Sequence, residues 1–212
     1  MHSHRRLTVL AGALLWCTTA ACQREAAERR EQPTRDTTAV AGGIEDVCAP
    51  NGRAPVVTSG GIGVARIGAS LSEVGQSCRT RDTTFSLGEG IQENGAVIEF
   101  AGHRVLALTT GDRTISRLIV ADSAFRTERG LGVGSTVGQL REAYGRLCGA
   151  VGEGTVAVWL AGLPNVSFGL DTRLSELPAS GSRISDDPSV IPDSARVTSL
   201  WVISEGAACG GS

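Results

Sequence analysis

The chain has 212 residues, of which 41% are hydrophobic and 20% charged, which suits one globular domain with extensions and excludes general disorder. All 20 basic residues are arginine and stand against 22 acidic ones, a formal net charge of −2 without any basic block. That balance argues against nucleic acid as a partner. With 28 glycines and only 4% aromatic residues, an aliphatic core and many turns are expected.

Residues 1–21 have the form of an export signal. Arg5 and Arg6 supply the positive start, and the apolar run from Leu7 to Cys17 is too short to span a bilayer but suits a signal core. The run ends in Thr19-Ala20-Ala21-Cys22, which resembles the bacterial lipobox, with Thr19 in the place of the usual leucine. The resemblance implies that Cys22 becomes the first mature residue and carries lipid chains, several of which give stable anchoring. Gln23 after the cysteine, rather than aspartate, favours the outer membrane, facing the periplasm, by similarity to enterobacterial sorting. Residues 22–43 are polar and charged and contain Pro33, as expected of a flexible tether.

Four cysteines then remain, Cys48, Cys78, Cys148 and Cys209, an even number in an exported chain that reads as two disulfides. Metal binding is disfavoured, because no CxxC spacing occurs and the mature chain holds only one histidine, His103. Three connectivities are open. Cys48–Cys78 with Cys148–Cys209 is favoured, because each bridge then staples one copy of an internal repeat.

That repeat is the main organising feature of residues 44–212, with units of about 60–125 and 126–209. Ile67-Gly68-Ala69-Ser70-Leu71-Ser72-Glu73-Val74 aligns without a gap with Val133-Gly134-Ser135-Thr136-Val137-Gly138-Gln139-Leu140. Ser70 with Glu73, and Thr136 with Gln139, have capping-box spacing at a helix start. Val137, Leu140, Tyr144 and Leu147 fall at helical spacing, which predicts a helix ending near Gly149. Strands are predicted over residues 96–101, 104–109, 114–120, 155–160, 165–170 and 196–203, joined by tight turns and therefore antiparallel. The expected fold is α+β: two tandem helix-plus-antiparallel-meander units with the helices packed on one face of the sheet. Residues 171–195 interrupt the second meander with Pro178, Pro188 and Pro192. Apart from one helical turn at Leu174–Leu177, they are expected on the surface.

Residues with chemical potential do not assemble into a known constellation. The glycines at 130–138 feed a helix, yet a phosphate loop requires a lysine that the chain lacks, so they read as a structural turn. His103 lies in a predicted hairpin turn, with no motif to support a hydrolytic triad. Asp186, Asp187 and Asp193 lack calcium-loop spacing. Asn165-Val166-Ser167 matches a glycosylation sequon that a bacterial lipobox makes irrelevant. Trp159, Trp201, Tyr144 and Phe168 are expected in the core, unless a solvent-facing cluster marks a binding patch.

The matched segments Gly68–Val74 and Gly134–Leu140, each a glycine turn before a capped helix, resemble two envelope families. One is the outer-membrane assembly lipoproteins of the BamE/SmpA type, with one such unit behind a lipidated cysteine. The other is the β-lactamase inhibitory protein type, with two tandem units and disulfides. The resemblance implies no transfer of a particular partner. The expectation is a non-enzymatic envelope lipoprotein, without cofactor or metal, that is structural or binds a protein or cell-wall partner. The alternative is an inhibitor or sensor of an exported enzyme or small ligand.

Overall fold

The computed structural model describes residues 48–86, 92–152, 155–177, 188–204 and 209. The expected signal, Cys22 with its expected lipidation, the expected tether, Pro178 and Asp186-Asp187 lie outside the described residues. Eleven strands dominate what is described. β1 (Val57–Thr58), β2 (Gly61–Ile62) and β3 (Ala65–Arg66) form a small antiparallel sheet. A second sheet contains β4 (Arg79–Ser86), β5 (Gln92–Phe100), β6 (His103–Thr109), β7 (Ile115–Val120), β8 (Leu147–Gly152), β9 (Thr155–Leu160), β10 (Leu163–Arg173) and β11 (Val197–Ile203). Its order is β4-β5-β6-β7-β11-β10-β9-β8, antiparallel throughout. Each meander of four strands thus ends on a central strand, and β7 and β11 pair with each other.

The α+β expectation is corrected by this architecture, which is mostly β. The helices α1 (Leu71–Gly75) and α2 (Val137–Tyr144) have only five and eight residues. Each buries two of its own side chains, Leu71 and Val74 in α1, Val137 and Leu140 in α2, which is too little to cover a sheet face. The capping boxes are present in both: the Ser70 and Thr136 hydroxyls accept from the N–H groups of Glu73 and Gln139, whose side chains accept in return. A capping box fixes where a helix begins and says nothing of its length. α2 stops at Gly145, whose φ of 77° ends the helix, so Leu147 falls in β8 instead of on the helical stripe.

The two glycine turns are equivalent down to their hydrogen bonds. Gly68 and Gly134 have φ of 86° and 88°, a left-handed conformation that favours glycine. Gly68 N–H donates to Ile115, and Ile115 returns a bond to Ala69; Gly134 and Ser135 make the same pair with Val197. Leu71 N–H binds the Arg113 carbonyl and Val137 N–H that of Ala195. Both turns are therefore stitched to the first residue of the central strand of their own half.

One face of the large sheet is buried at its centre. Ile98, Phe100, Val105, Val120, Leu200, Phe168 and Val158 are each 0% exposed. They join one core with Val57, Ile62 and Ala65 of the small sheet, with the helix residues, and with Phe125. The 171–195 connection is partly interior: Ile191 is buried at 1% and Ala195 at 6%, contrary to a wholly superficial loop. Residues 174–176 do form a single 3-10 turn.

The disulfides are Cys48–Cys78 and Cys148–Cys209, the favoured pairing.

Loss of one cap hydroxyl in Ser70→Ala or Thr136→Ala is expected to cost about 1 kcal/mol, read as a lower urea midpoint with unchanged slope. Gly95→Ala should cost more, because its Cβ would lie 2.1 Å from the Ala107 carbonyl oxygen. A midpoint within error of the parent at Gly95 would show that the β5–β6 contact is not so close in solution.

Candidate functional site

The second face of the large sheet is the candidate surface. Strand pairing sets Arg81, Val97, Leu106, Ile119, Trp201, Ser167, Trp159 and Cys148 opposite one another in a continuous row across all eight strands. Directly opposed residues share a face, so the row is a single stripe. A neighbouring row runs through Thr83, Gly95, Leu108, Arg117 and Ile203. Leu106, Trp201, Trp159, Arg117 and Ile203 are half-buried, while Val97 and Ile119 retain 8% exposure. Their inner-face neighbours Ile98, Val105, Val120, Leu200 and Val158 retain none.

The stripe carries its own electrostatics. Arg117 lies over the Trp201 ring at 5.4 Å, a cation–π contact that holds both side chains on this face. Trp201 Nε1–H donates to Ser199 Oγ at 3.0 Å, which fixes the indole. Arg79, Arg81 and Arg104 stand on the same face, with Glu93 and Glu99 as the acidic residues, and Arg104 approaches Glu99 at 4.0 Å. Four arginines against two glutamates make this face basic on a chain that is acidic overall. Trp159 Nε1 is buried with no hydrogen-bond partner among the described residues.

His103 is not a bare turn residue. It opens β6, and its Nδ1–H donates to Asp122 Oδ2 at 2.8 Å, with the ring edge-on to Phe125 at 6.1 Å. The Ala124 backbone N–H, and after it the His103 bond, hold the Asp122 carboxyl below the usual carboxylate range. The pair orients one imidazole nitrogen, but no described serine hydroxyl bonds to His103, so it brings no nucleophile with it. The pairing spans 19 residues, and no local motif announces it.

The other singled-out residues are structural. The first amides of α2 are all used, Val137 by Ala195, Gly138 by Asp193 and Gln139 by Thr136, which leaves no free cradle for an anion. Asp193 pairs with Arg141 Nε at 3.3 Å, and no metal-ligand cluster occurs among the described residues. Asn165 sits at φ 63° within β10. Phe168 is core, while Tyr144 stacks under Arg129 at 5.0 Å. Asp82 is bound by both Arg113 guanidinium nitrogens at 2.8 and 3.1 Å beside an open polar groove with Thr84, Asn94 and Thr110. Of the aromatic residues named from sequence, only Trp159 and Trp201 share the open face. Arg117, Leu106 and Ile119 were legible only as the off-core positions of predicted alternating strands.

Among the described residues no helix is long and apolar enough to cross a membrane. No family model and no curated protein matches the chain. Among solved structures the chain is similar to the uncharacterized protein YfeY from Escherichia coli, at 18% identity, over 65% of this chain and 90% of that one, with a TM-score of 0.43. A likeness at that level carries no functional argument.

The Asp122 contribution to stability has a defined pH window. A carboxyl held below its ordinary value of 3.8 stabilises the fold fully above that value, and the effect is lost as pH falls through the depressed one. Because both side chains are more than a third exposed, the effect should be below about 1 kcal/mol. Asp122→Asn should therefore flatten the acid limb of a urea-midpoint profile measured below about pH 4, and leave a profile near neutrality parallel to the parent's. An unchanged acid limb would remove the pair from the stability account.

Proposed function

We propose that the protein is a non-enzymatic, lipid-anchored lipoprotein of the bacterial envelope that binds a protein partner through the open face of its large sheet. The observation that carries this reading is the stripe Leu106–Ile119–Trp201, continued through Ser167 to Trp159 and flanked by Arg81, Arg104 and Arg117, in which Leu106, Trp201 and Trp159 are half-buried and Ile119 keeps 8% exposure. Interfaces are enriched in tryptophan and arginine at their energetic centres, and a stripe of this kind is unusual on a surface meant only for water. The basic excess suits a partner that presents carboxylates around an apolar contact. The Cys22 motif supplies the anchor, and the polar 22–43 stretch the distance from the bilayer.

Photo-crosslinking in the native envelope tests the binding face. A crosslinker at Leu106 should give a discrete protein adduct, while one at the exposed Arg66 in β3 should give none. Trp201→Ala should weaken capture of that same partner by about tenfold or more, as expected of an anchor worth upward of about 1.4 kcal/mol. Equal adducts at both positions would refute the assignment of the face. Separately, Cys22→Ala should abolish labelling by a fatty-acid precursor and release the protein from the membrane fraction. Unchanged labelling would remove the anchor.

A further inference from the structure

The two disulfides occupy different environments. Cys48 and Cys78 are core residues, 3% and 2% exposed, and Cys48 Sγ lies 3.1 Å from the Glu99 carbonyl oxygen. Cys148 and Cys209 are both partly exposed. Cys148 lies at the outer end of the open face, on the edge strand β8, directly opposite Trp159. Cys209 Sγ stands 3.9 Å from the Trp159 carbonyl oxygen.

Thiol–disulfide exchange requires a thiolate to approach one sulfur of the bridge, so access decides which bridge reacts. A buried bridge excludes both the attacking chain and the water that solvates its charge, whereas a partly exposed one on a sheet edge admits both more readily. Exposed bridges are also the more readily reduced class. The closed loops differ less: the bridges span 30 and 61 residues, and loop entropy depends only logarithmically on that length.

We propose that Cys148–Cys209 is a redox-exchange site for a protein dithiol of the CxxC class, and that Cys48–Cys78 is a permanent staple. One thiolate of the dithiol attacks Cys209 Sγ, forming a mixed disulfide and expelling Cys148 as a thiolate. The second thiol of the reductant, deprotonated, attacks its own sulfur in the mixed disulfide and expels Cys209. The reductant leaves oxidised, two electrons have passed to the bridge, and the two released thiolates take up two protons. Opening frees Cys209 from β8 and alters the surroundings of Trp159 on the open face. The chemistry of the site does not depend on what that face binds.

The test is differential alkylation of the folded full chain, with peptide mapping, under reduced thioredoxin and, in parallel, dithiothreitol. Cys148 and Cys209 should be labelled at least about tenfold faster than Cys48 and Cys78 under both reagents, with a change in tryptophan fluorescence that is reduced in Trp159→Phe. The double variant Cys148→Ser/Cys209→Ser should keep a cooperative unfolding transition and leave Cys48 and Cys78 unlabelled. Simultaneous opening of both bridges, or earlier opening of Cys48–Cys78, overturns the proposal. So does reaction with dithiothreitol but not thioredoxin, and so does loss of cooperative folding in the double variant.

Discussion

The pairing of β7 with β11 is the constraint on which the rest of the structure depends. Leu118, Ile119 and Val120 meet Val202, Trp201 and Leu200 across it, and it joins one four-stranded meander to the other. Each of these strands also anchors its own glycine turn, through Ile115 to Gly68 and Ala69, and through Val197 to Gly134 and Ser135. One pair of strands thus sets the sheet centre and the start of both helices. A slip of one residue there would invert one strand relative to the other, placing either Ile119 in the core and Val120 in water or Trp201 in the core and Leu200 in water. The register is held because the inner residues are fully buried and their outer neighbours are not.

The same alternation gives the open face its character. An antiparallel sheet with one wetted side ordinarily puts polar residues there. The wetted side here is mixed: threonine, serine and arginine stand beside leucine, isoleucine and two tryptophans. Arg117 and Trp201 explain how such a stripe remains compatible with water, since the guanidinium covers the indole while keeping its donors accessible. An arginine at that position covers the indole, and under the proposed reading it would also be free to meet a partner. Lysine, with no planar group to stack, would do the first less well.

What could be read from the sequence follows from where its signal is local. The helix starts were legible because capping boxes are contained in four residues, and β9 because Val156-Ala157-Val158-Trp159-Leu160 is an unbroken apolar run that ends at a glycine turn. The cysteine pairing was legible because the repeat placed one pair in each copy. β4 was missed because both of its sides are largely exposed, so Arg79-Thr80-Arg81-Asp82-Thr83-Thr84 carries no apolar alternation to detect. β8 was missed because Cys148-Gly149-Ala150 reads as a helix ending, when the helix had already stopped at Gly145. The helical content was overestimated for the same reason: an i, i+3, i+7 pattern through Leu147 crossed a glycine with a left-handed backbone. The candidate surface was the least legible feature, since it depends on pairings as distant as Arg117 with Ile203, and neither Arg117 with Trp201 nor His103 with Asp122 leaves a local trace.

The two edges of the sheet sharpen the choice of surface. An unpaired strand edge invites further pairing unless something discourages it. β4 meets that need with charge: Arg79, Arg81 and Asp82 are all exposed, and Asp82 is further held by Arg113. β8 offers small residues and no such charges, and is guarded instead by a covalent tie, Cys148 to Cys209. With one edge charged and the other tied, strand addition is discouraged at both ends. The stripe between them has neither device. Its apolar residues lie on a face, where the proposed partner would be met by side chains, and the arginines around them would repel basic surfaces while admitting acidic ones. The fold therefore discourages strand addition at both edges and leaves the open face as the surface on which the proposed contact rests.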